Sequence, residues 1–346
     1  MSKVAVVILN WNGRDLLERY LPSVCKNTNN KLARIYVADN ASTDDSVAFV
    51  KETYPDLEII QLDENHGFAG GYNKALAALK EKYFVLLNSD VDVAPKWVEP
   101  ILEQMEADAS IAAAQPKILS DRDRSSFEYA GACGGFIDYL GFPFCRGRVL
   151  DNLEKDNGQY DSTIDVFWCS GAALFIRAEL YKKVGGLDAK FFAHMEEIDL
   201  CWQLNSMGYK LICEPRSTVY HFGGATLDYN NPRKLYLNFR NSLLMMYKNL
   251  PANKLFYIMF KRMLLDGVAA VKFLLKFEFL NFKAVWNAHI DFYKMVPAYK
   301  LSRKQVQANS SIISFYTVIT KSMVWLYYFK RERSFSDYSK YFRTRN

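Results

Sequence analysis

Apolar and polar positions alternate in blocks along the first hundred or so residues. Val4–Leu9 is a short apolar run of the kind that forms a buried strand. Arg14–Cys25 follows, with Leu16, Leu17, Tyr20, Leu21 and Val24 recurring on one helical side. Ala33–Ala38 predicts a second strand, and Thr43–Tyr54 a second helix opened by a Ser42 or Thr43 cap. Leu57–Leu62 predicts a third strand. A glycine-rich stretch, Gly67–Gly71, then leads into an Ala/Leu-rich helix over Tyr72–Lys82, and Tyr83–Leu87 is a fourth strand. Lys96–Glu106 and Ile111–Gln115 continue the pattern. Strand and helix alternating at this pitch predict an α/β fold with a mostly parallel sheet covered on both faces.

The texture changes over 116–165, where Gly131, Gly134, Gly135, Gly141, Pro143 and Gly147 lie among aromatic and charged residues and predict loops and short strands. Val166–Arg177 reads as strand. After a turn at Gly185-Gly186, helical spacing returns in Glu196–Met207, and a last helical run, Lys234–Lys248, closes this part. Residues 251–330 interleave aromatic and aliphatic residues with Lys and Arg. Leu255–Leu275 contains Lys261, Arg262, Asp266 and Lys272, at about 2.5–3.5 kcal/mol each near a bilayer centre, so a span is not expected. Ser311–Phe329 has one charge, Lys321, but five Ser/Thr, and its pattern leaves open whether it enters, lies on or avoids a membrane.

Charge sharpens this division. Residues 1–250 carry 27 Lys and Arg against 33 Asp and Glu, a net of −6; residues 251–346 carry 17 against 5, a net of +12. A basic, aromatic tail predicts an anionic membrane surface as partner, with helices lying on the interface. The same helices also fit packing as a core subdomain or a contact in a homo-oligomer. Nucleic acid is not expected, because no RNP-like or helix-turn-helix pattern accompanies the charge. The six cysteines show no CxxC pair or finger spacing and predict reduced, structural thiols. The six-residue apolar run at the amino end is too short for a signal sequence, so a cytoplasmic start is expected.

The run Leu87-Asn88-Ser89-Asp90-Val91-Asp92 brings two carboxylates, spaced i, i+2, to the end of the fourth strand. Sheets of this class place ligands there, and paired carboxylates suit a hard cation bridging to phosphate. Asn-Ser-Asp is equally turn chemistry. The first strand ends in Asn10-Trp11-Asn12-Gly13 without a GxGxxG, which argues against a dinucleotide-binding dehydrogenase. Asp39, at the second strand's end, can accept from a base or ribose, or serve helix capping.

Five motifs occur in order: Val-Ala-Asp-Asn-Ala-Ser-Thr-Asp at 37–44, Asn-His-Gly-Phe-Ala-Gly-Gly-Tyr-Asn at 65–73, Leu-Asn-Ser-Asp-Val-Asp at 87–92, Cys-Ser-Gly-Ala-Ala-Leu-Phe-Ile-Arg at 169–177 and Phe-Phe-Ala-His-Met-Glu-Glu-Ile-Asp-Leu-Cys-Trp at 191–202. The set resembles the family 2 inverting glycosyltransferases of GT-A fold, within them the bacterial rhamnosyltransferase-like group, over about residues 1–250. The resemblance implies a GT-A domain over 1–250, with a nucleotide-sugar-binding half (1–115) and an acceptor and catalytic half (116–250), and the tail at 251–346. It implies metal-dependent transfer from a dTDP- or UDP-sugar, rhamnose favoured, to a lipid-linked glycan in cell-surface polysaccharide synthesis, by an enzyme peripheral on the inner membrane face. Donor contacts are implied for Asn10, Asp39, Asn40, Gly67, Phe68, Gly70, Asn73, Asn88 and Asp90. Asp90, Asp92 and His221, the last within Val-Tyr-His-Phe-Gly-Gly at 219–224, are implied ligands of Mn²⁺ or Mg²⁺. Glu197 is the implied general base, with Glu196 the fallback and Asp199 in support. The departure is that Glu197 stands where the family usually carries Asp. That change motivates the alternative of a nucleotide-sugar-binding protein without transfer activity. Asn238, Arg240 and Asn241 resemble a stretch near the end of such domains, with no role assigned.

Overall fold

The computed structural model describes residues 2–223, 231–312 and 314–344. Gly224 of the Val-Tyr-His-Phe-Gly-Gly run and Ile313 of the 311–329 stretch lie outside them. The amino-terminal apolar runs form β1 (Val4–Asn10), β2 (Ala33–Asp39), β3 (Glu58–Gln61) and β4 (Tyr83–Asn88), separated by α1 (Arg14–Asn27), α2 (Ser46–Thr53) and α3 (Gly67–Ala77). β1 pairs in parallel with β2 and β4, and β2 with β3. Then come β5 (Val91–Val93), α4 (Glu99–Ala107) and β6 (Ile111–Ser120). The irregular stretch supplies β7 (Gly135–Asp138), β8 (Pro143–Cys145), β9 (Arg148–Val149), β10 (Asn152–Leu153) and β11 (Ile164–Asp165). β12 (Ala173–Arg177), α5 (Ala178–Lys183), α6 (Glu196–Ser206) and β13 (Lys210–His221) complete the sheet region. Three helices follow: α7 (Pro232–Asn249), α8 (Ala252–Leu275) and α9 (Phe279–Asn309), and then β14 (Val318–Ile319).

The main sheet runs β11-β13-β6-β12-β4-β1-β2-β3, with β5 on β13. It is mostly parallel. β12 runs antiparallel between β4 and β6, a direction that hydrophobic spacing cannot encode. Alternate residues of β1 enter opposite cores: Val4, Val6 and Ile8 pack with Trp97 and Phe175, while Ala5 and Val7 pack with Tyr72 and Phe84. That double burial is why the run reads as continuously apolar.

Three expectations shift. α2 begins at Ser46, not Thr43, because Asn12 Oδ1 accepts the Thr43 N–H (2.7 Å) and Asp39 accepts that of Ser42 (3.1 Å). The glycine-rich stretch is helix rather than loop, for α3 begins at Gly67. A Cβ on Gly71 would lie 2.9 Å from a Leu9 methyl, so glycine lets this helix lie directly on β1. Over Val166–Arg177, only 173–177 is strand, since Trp168 turns aside to cover Gly135. The described residues of the 311–329 stretch, which the sequence leaves open, fold as short pieces. β14 pairs with β7, the Asp138 carboxylate accepts the Met323 N–H (2.9 Å), and Phe335 packs on Phe136. Among the described residues no helix is long and apolar enough to cross a membrane. Two of the α8 charges are structural: Arg262 pairs with Asp266 (2.9 Å), which also meets His289 of α9 (3.3 Å).

Candidate active site

The parallel strands end together, and their last residues gather at one edge of the sheet. Asn10 and Asp39 are register partners at the ends of β1 and β2, and the Asn10 amide donates to Asp39 (3.3 Å) and to Ser42 (3.2 Å). Both are buried, and Asn10 Oδ1 has no partner. A carboxylate oriented by a buried amide is pre-set to accept from a ligand N–H. Asn40 has a different place. Its amide donates to Asn65 (3.0 Å) and to the Gly67 carbonyl (3.1 Å) and accepts from His66 N–H (3.1 Å), tying β2 to α3. Asn73 is also committed inward, donating to Leu187 O (2.7 Å) and accepting from Tyr181 (2.6 Å). Both side chains spend their hydrogen bonds on holding the scaffold.

The glycines of α3 are required by packing. Gly67 has φ +68, and a Cβ there would lie 2.6 Å from the Phe192 ring; one on Gly70 would lie 2.9 Å from His66 Cβ. Phe68 is half-buried and lies edge-on to Tyr72.

At the end of β4, Asn88 and Asp90 meet His221 from the end of β13. His221 Nε2 lies 3.2 Å from Asp90 and 3.5 Å from the Asn88 amide, while its Nδ1 faces Glu128 at 3.4 Å. Burial would lower the imidazole's pKa, but Asp90 and Glu128 outweigh it and hold it well above its usual range. Burial would likewise raise Asp90, and His221 brings it below the usual carboxylate range. Asp92 is drawn elsewhere, onto Arg124 (2.5 Å), which also pairs with Asp121 (2.7 Å). The structure thus brings Asp90 and His221 together and leaves Asp92 in an ion-pair network. The Asp90 carboxylate and the Nε2 edge of His221, with Asn88 beside them, are donors of the kind that suit Mn²⁺ or Mg²⁺, and a cation there would have to displace the proton that Asp90 and Glu128 favour on the imidazole. Among the described residues, three closely spaced ligand groups occur at Asp63, Glu64 and His66. Both carboxylates there are exposed and Asp63 already pairs with Lys74, so that cluster is a solvated one.

The two glutamates open α6, and their surroundings separate them. Glu196 is almost fully buried on the side of Tyr181, and its carboxyl is pushed well above its usual range by burial and then by Glu197. Glu197 is half-buried. Its Cβ lies 3.9 Å from where a Cβ on Gly171 would stand, and that point is also 3.1 Å from Phe68. Ala172, the next residue, accepts the Asn88 N–H (3.0 Å). Glu197 therefore sits one chain segment from the end of β4. Burial pushes its carboxyl up to about 7, partly offset by backbone N–H groups, and its Oε2 has no partner. A carboxylate poised near neutrality and free to accept a proton is what base catalysis asks for. Asp199 has no such freedom, since Lys248 (2.6 Å), Asn249 (2.7 Å) and Gln203 (2.9 Å) occupy it.

The segment before α6 is strained: Phe192, His194 and Met195 all have φ near +70. Asn241, fully buried on α7, holds it. Its amide donates to the carbonyls of Phe191 (3.1 Å), Ala193 (2.9 Å) and His194 (2.8 Å), and Arg240 donates to Phe191 O (3.1 Å). The Arg-Asn pair was visible in sequence, but its partners lie almost fifty residues away. Asn241→Ala should cost about 2–3 kcal/mol in urea unfolding, because buried carbonyls lose their donors.

The chain resembles known proteins over most of this structure. Residues 5–183 match Glycosyl transferase family 2. An N-acetylglucosaminyl-diphospho-decaprenol L-rhamnosyltransferase of Mycobacterium tuberculosis (strain CDC 1551 / Oshkosh) is 26% identical over 232 residues, 62% of this chain and 75% of that protein. Among solved structures, S. aureus TarS 1-349 in complex with UDP-GlcNAc superposes with TM-score 0.57 at 15% identity, covering 89% of this chain and 88% of the other. The mannosyltransferase PcManGT from Pyrobaculum calidifontis, in complex with GDP-Man and Mn²⁺, gives TM-score 0.51 at 17% identity, over 89% and 84%.

Proposed function

We propose that this chain, which belongs to glycosyl transferase family 2, uses Glu197 as the base of a one-step, inverting sugar transfer. It is a glycosyltransferase with a GT-A fold. The observation that carries the reading is the unpartnered Glu197 carboxyl, raised toward 7, beside Gly171 at the ends of the parallel strands.

Glu197 takes the proton of an acceptor hydroxyl. The freed oxygen bonds to the anomeric carbon as the bond to the nucleoside diphosphate breaks on the opposite side. Asp39, oriented by Asn10, accepts from the base or ribose, and Phe68 flanks the sugar side. Asp90 and His221 would hold a divalent cation, Mn²⁺ or Mg²⁺, which when bound would offset charge on the departing diphosphate. Asp92, beside Asp90 in the chain, is paired with Arg124. The donor is a dTDP- or UDP-sugar, with rhamnose favoured. The acceptor is a lipid-linked glycan of cell-surface polysaccharide, met at the inner face of the cytoplasmic membrane. The mycobacterial relative supports both choices, since its name joins rhamnosyl transfer to a diphospho-decaprenol-linked sugar.

A donor panel read by thermal shift tests the site. A matched donor at a hundred times Kd, with Mn²⁺, stabilises the wild type by about 2.7 kcal/mol. Asp90→Asn should lose the Mn²⁺-dependent part of that gain. An equal gain in the variant would remove Asp90 from the site. Donor hydrolysis by the wild type decides against a binding protein without transfer activity.

A further inference from the structure

We infer that the α8–α9 hairpin is the membrane-docking element, its outward apolar stripe entering the headgroup boundary of an anionic leaflet. On α8, Phe256, Phe260, Leu264, Val268, Val271 and Leu275 follow one another at i+3 or i+4, and each is more than half exposed. The opposite face, with Ile258, Met259, Arg262 and Asp266, is buried. A helix on a soluble surface has the reverse polarity. The turn continues the stripe with Phe277 (79% exposed), Phe279 and Leu280. Trp325 and Phe329 stack on each other at 4.2 Å, and Tyr328 lies 5.5 Å from Lys272, so that segment extends the same surface. An exposed apolar area of this extent marks an interaction site.

Charge selects the occupant. Lys272, Lys276 and Lys283 are exposed around the turn. The only acids in residues 252–286 are Asp266, buried against Arg262 and His289, and Glu278, which accepts from Asn281 (2.9 Å). A second copy would bring lysines against lysines, a like-charge contact that opposes pairing. An anionic bilayer satisfies both the apolar stripe and the single-sign border. Among the described residues no helix is long and apolar enough to cross a bilayer, and the stripe on α8 suits a helix lying along the interface.

The purpose of this contact rests on the reading of a lipid-borne acceptor; its detection does not. The 346-residue protein is sedimented at about 0.1 M salt with vesicles of phosphatidylcholine alone or mixed with phosphatidylglycerol. We expect at least tenfold tighter binding to the anionic vesicles. Lys272→Gln, Lys276→Gln and Lys283→Gln together should lower it about a hundredfold, at about fivefold per lysine. Phe260→Ser, Leu264→Ser and Leu275→Ser together should abolish it with an unchanged melting temperature, since the side chains are exposed. Equal binding to both vesicles, or either triple variant binding as wild type, would overturn the inference. So would a dimer without lipid that the serine variant dissolves. Donor-induced thermal shift on the same samples separates the outcomes: donor binding without vesicle binding sinks only the docking element, and the converse sinks only the transfer reading.

Discussion

Glu197→Gln is expected to lower kcat by about 10²–10⁴-fold while leaving donor affinity within a factor of about two. The amide keeps the size and position of the side chain and removes only its ability to take a proton. Among the described residues Glu197 has no ion-pair partner and its Oε2 no hydrogen-bond partner, and the backbone N–H groups that face its carboxylate can donate to an amide oxygen instead. Folding should be intact, and stability higher if anything, because burial penalises the charged form at this position. Glu196→Gln is the matched control. That residue lies on the Tyr181 side, nearly without solvent contact, and its loss should cost far less than tenfold. If the two variants exchanged these outcomes, Glu196 would be the base.

Lys248→Met is the second large effect, in stability. Its ammonium bridges Asp188 (2.8 Å) and Asp199 (2.6 Å), and so clamps both ends of the segment that carries Glu197. Burial pushes Asp199 up and Lys248 pulls it only partly back, while the lysine itself is held above its usual range despite burial. Methionine would fill the stem's volume and leave two carboxylates without their cation. Removing one partner of a buried pair costs about 3–5 kcal/mol, measurable by urea unfolding. Adding Asp199→Asn should recover a substantial part of the loss, since the two changes are coupled. An additive double variant would mean the bridge contributes little.

The sequence made the strand ends legible because the motif residues there are adjacent in the chain: Asp39 in one run, Asn88 and Asp90 in another. Helical and strand periods also located most elements of the first 115 residues. What periodicity cannot carry is direction or partnership. β12 reads as an ordinary strand, and only its pairing with β4 and β6 reveals it as antiparallel. Asn40 and Asn73 look like donor contacts in their motifs. Their hydrogen bonds run to residues 25 and 114 positions away, and those partners exist only after folding. The glycines of α3 suggested a loop, yet they serve close packing on Leu9, His66 and Phe192. The basic tail was visible by composition. That α8 exposes an apolar stripe while β14 returns to pair with β7 was not.

The pH dependence of kcat/KM, measured for the wild type and Glu197→Gln at saturating Mn²⁺, tests the central claim most directly. A base must be deprotonated to act, so wild-type activity should fall tenfold per unit below about 7 and level off above it. An unperturbed glutamate would put that limb near 4.3. Glu196 adjoins it, so the limb belongs to the coupled pair. The residual rate of Glu197→Gln should lack the limb altogether. A variant that keeps the limb, or a wild type flat from pH 5 to 9 (roughly two units either side of the pKa), would contradict Glu197 as the base.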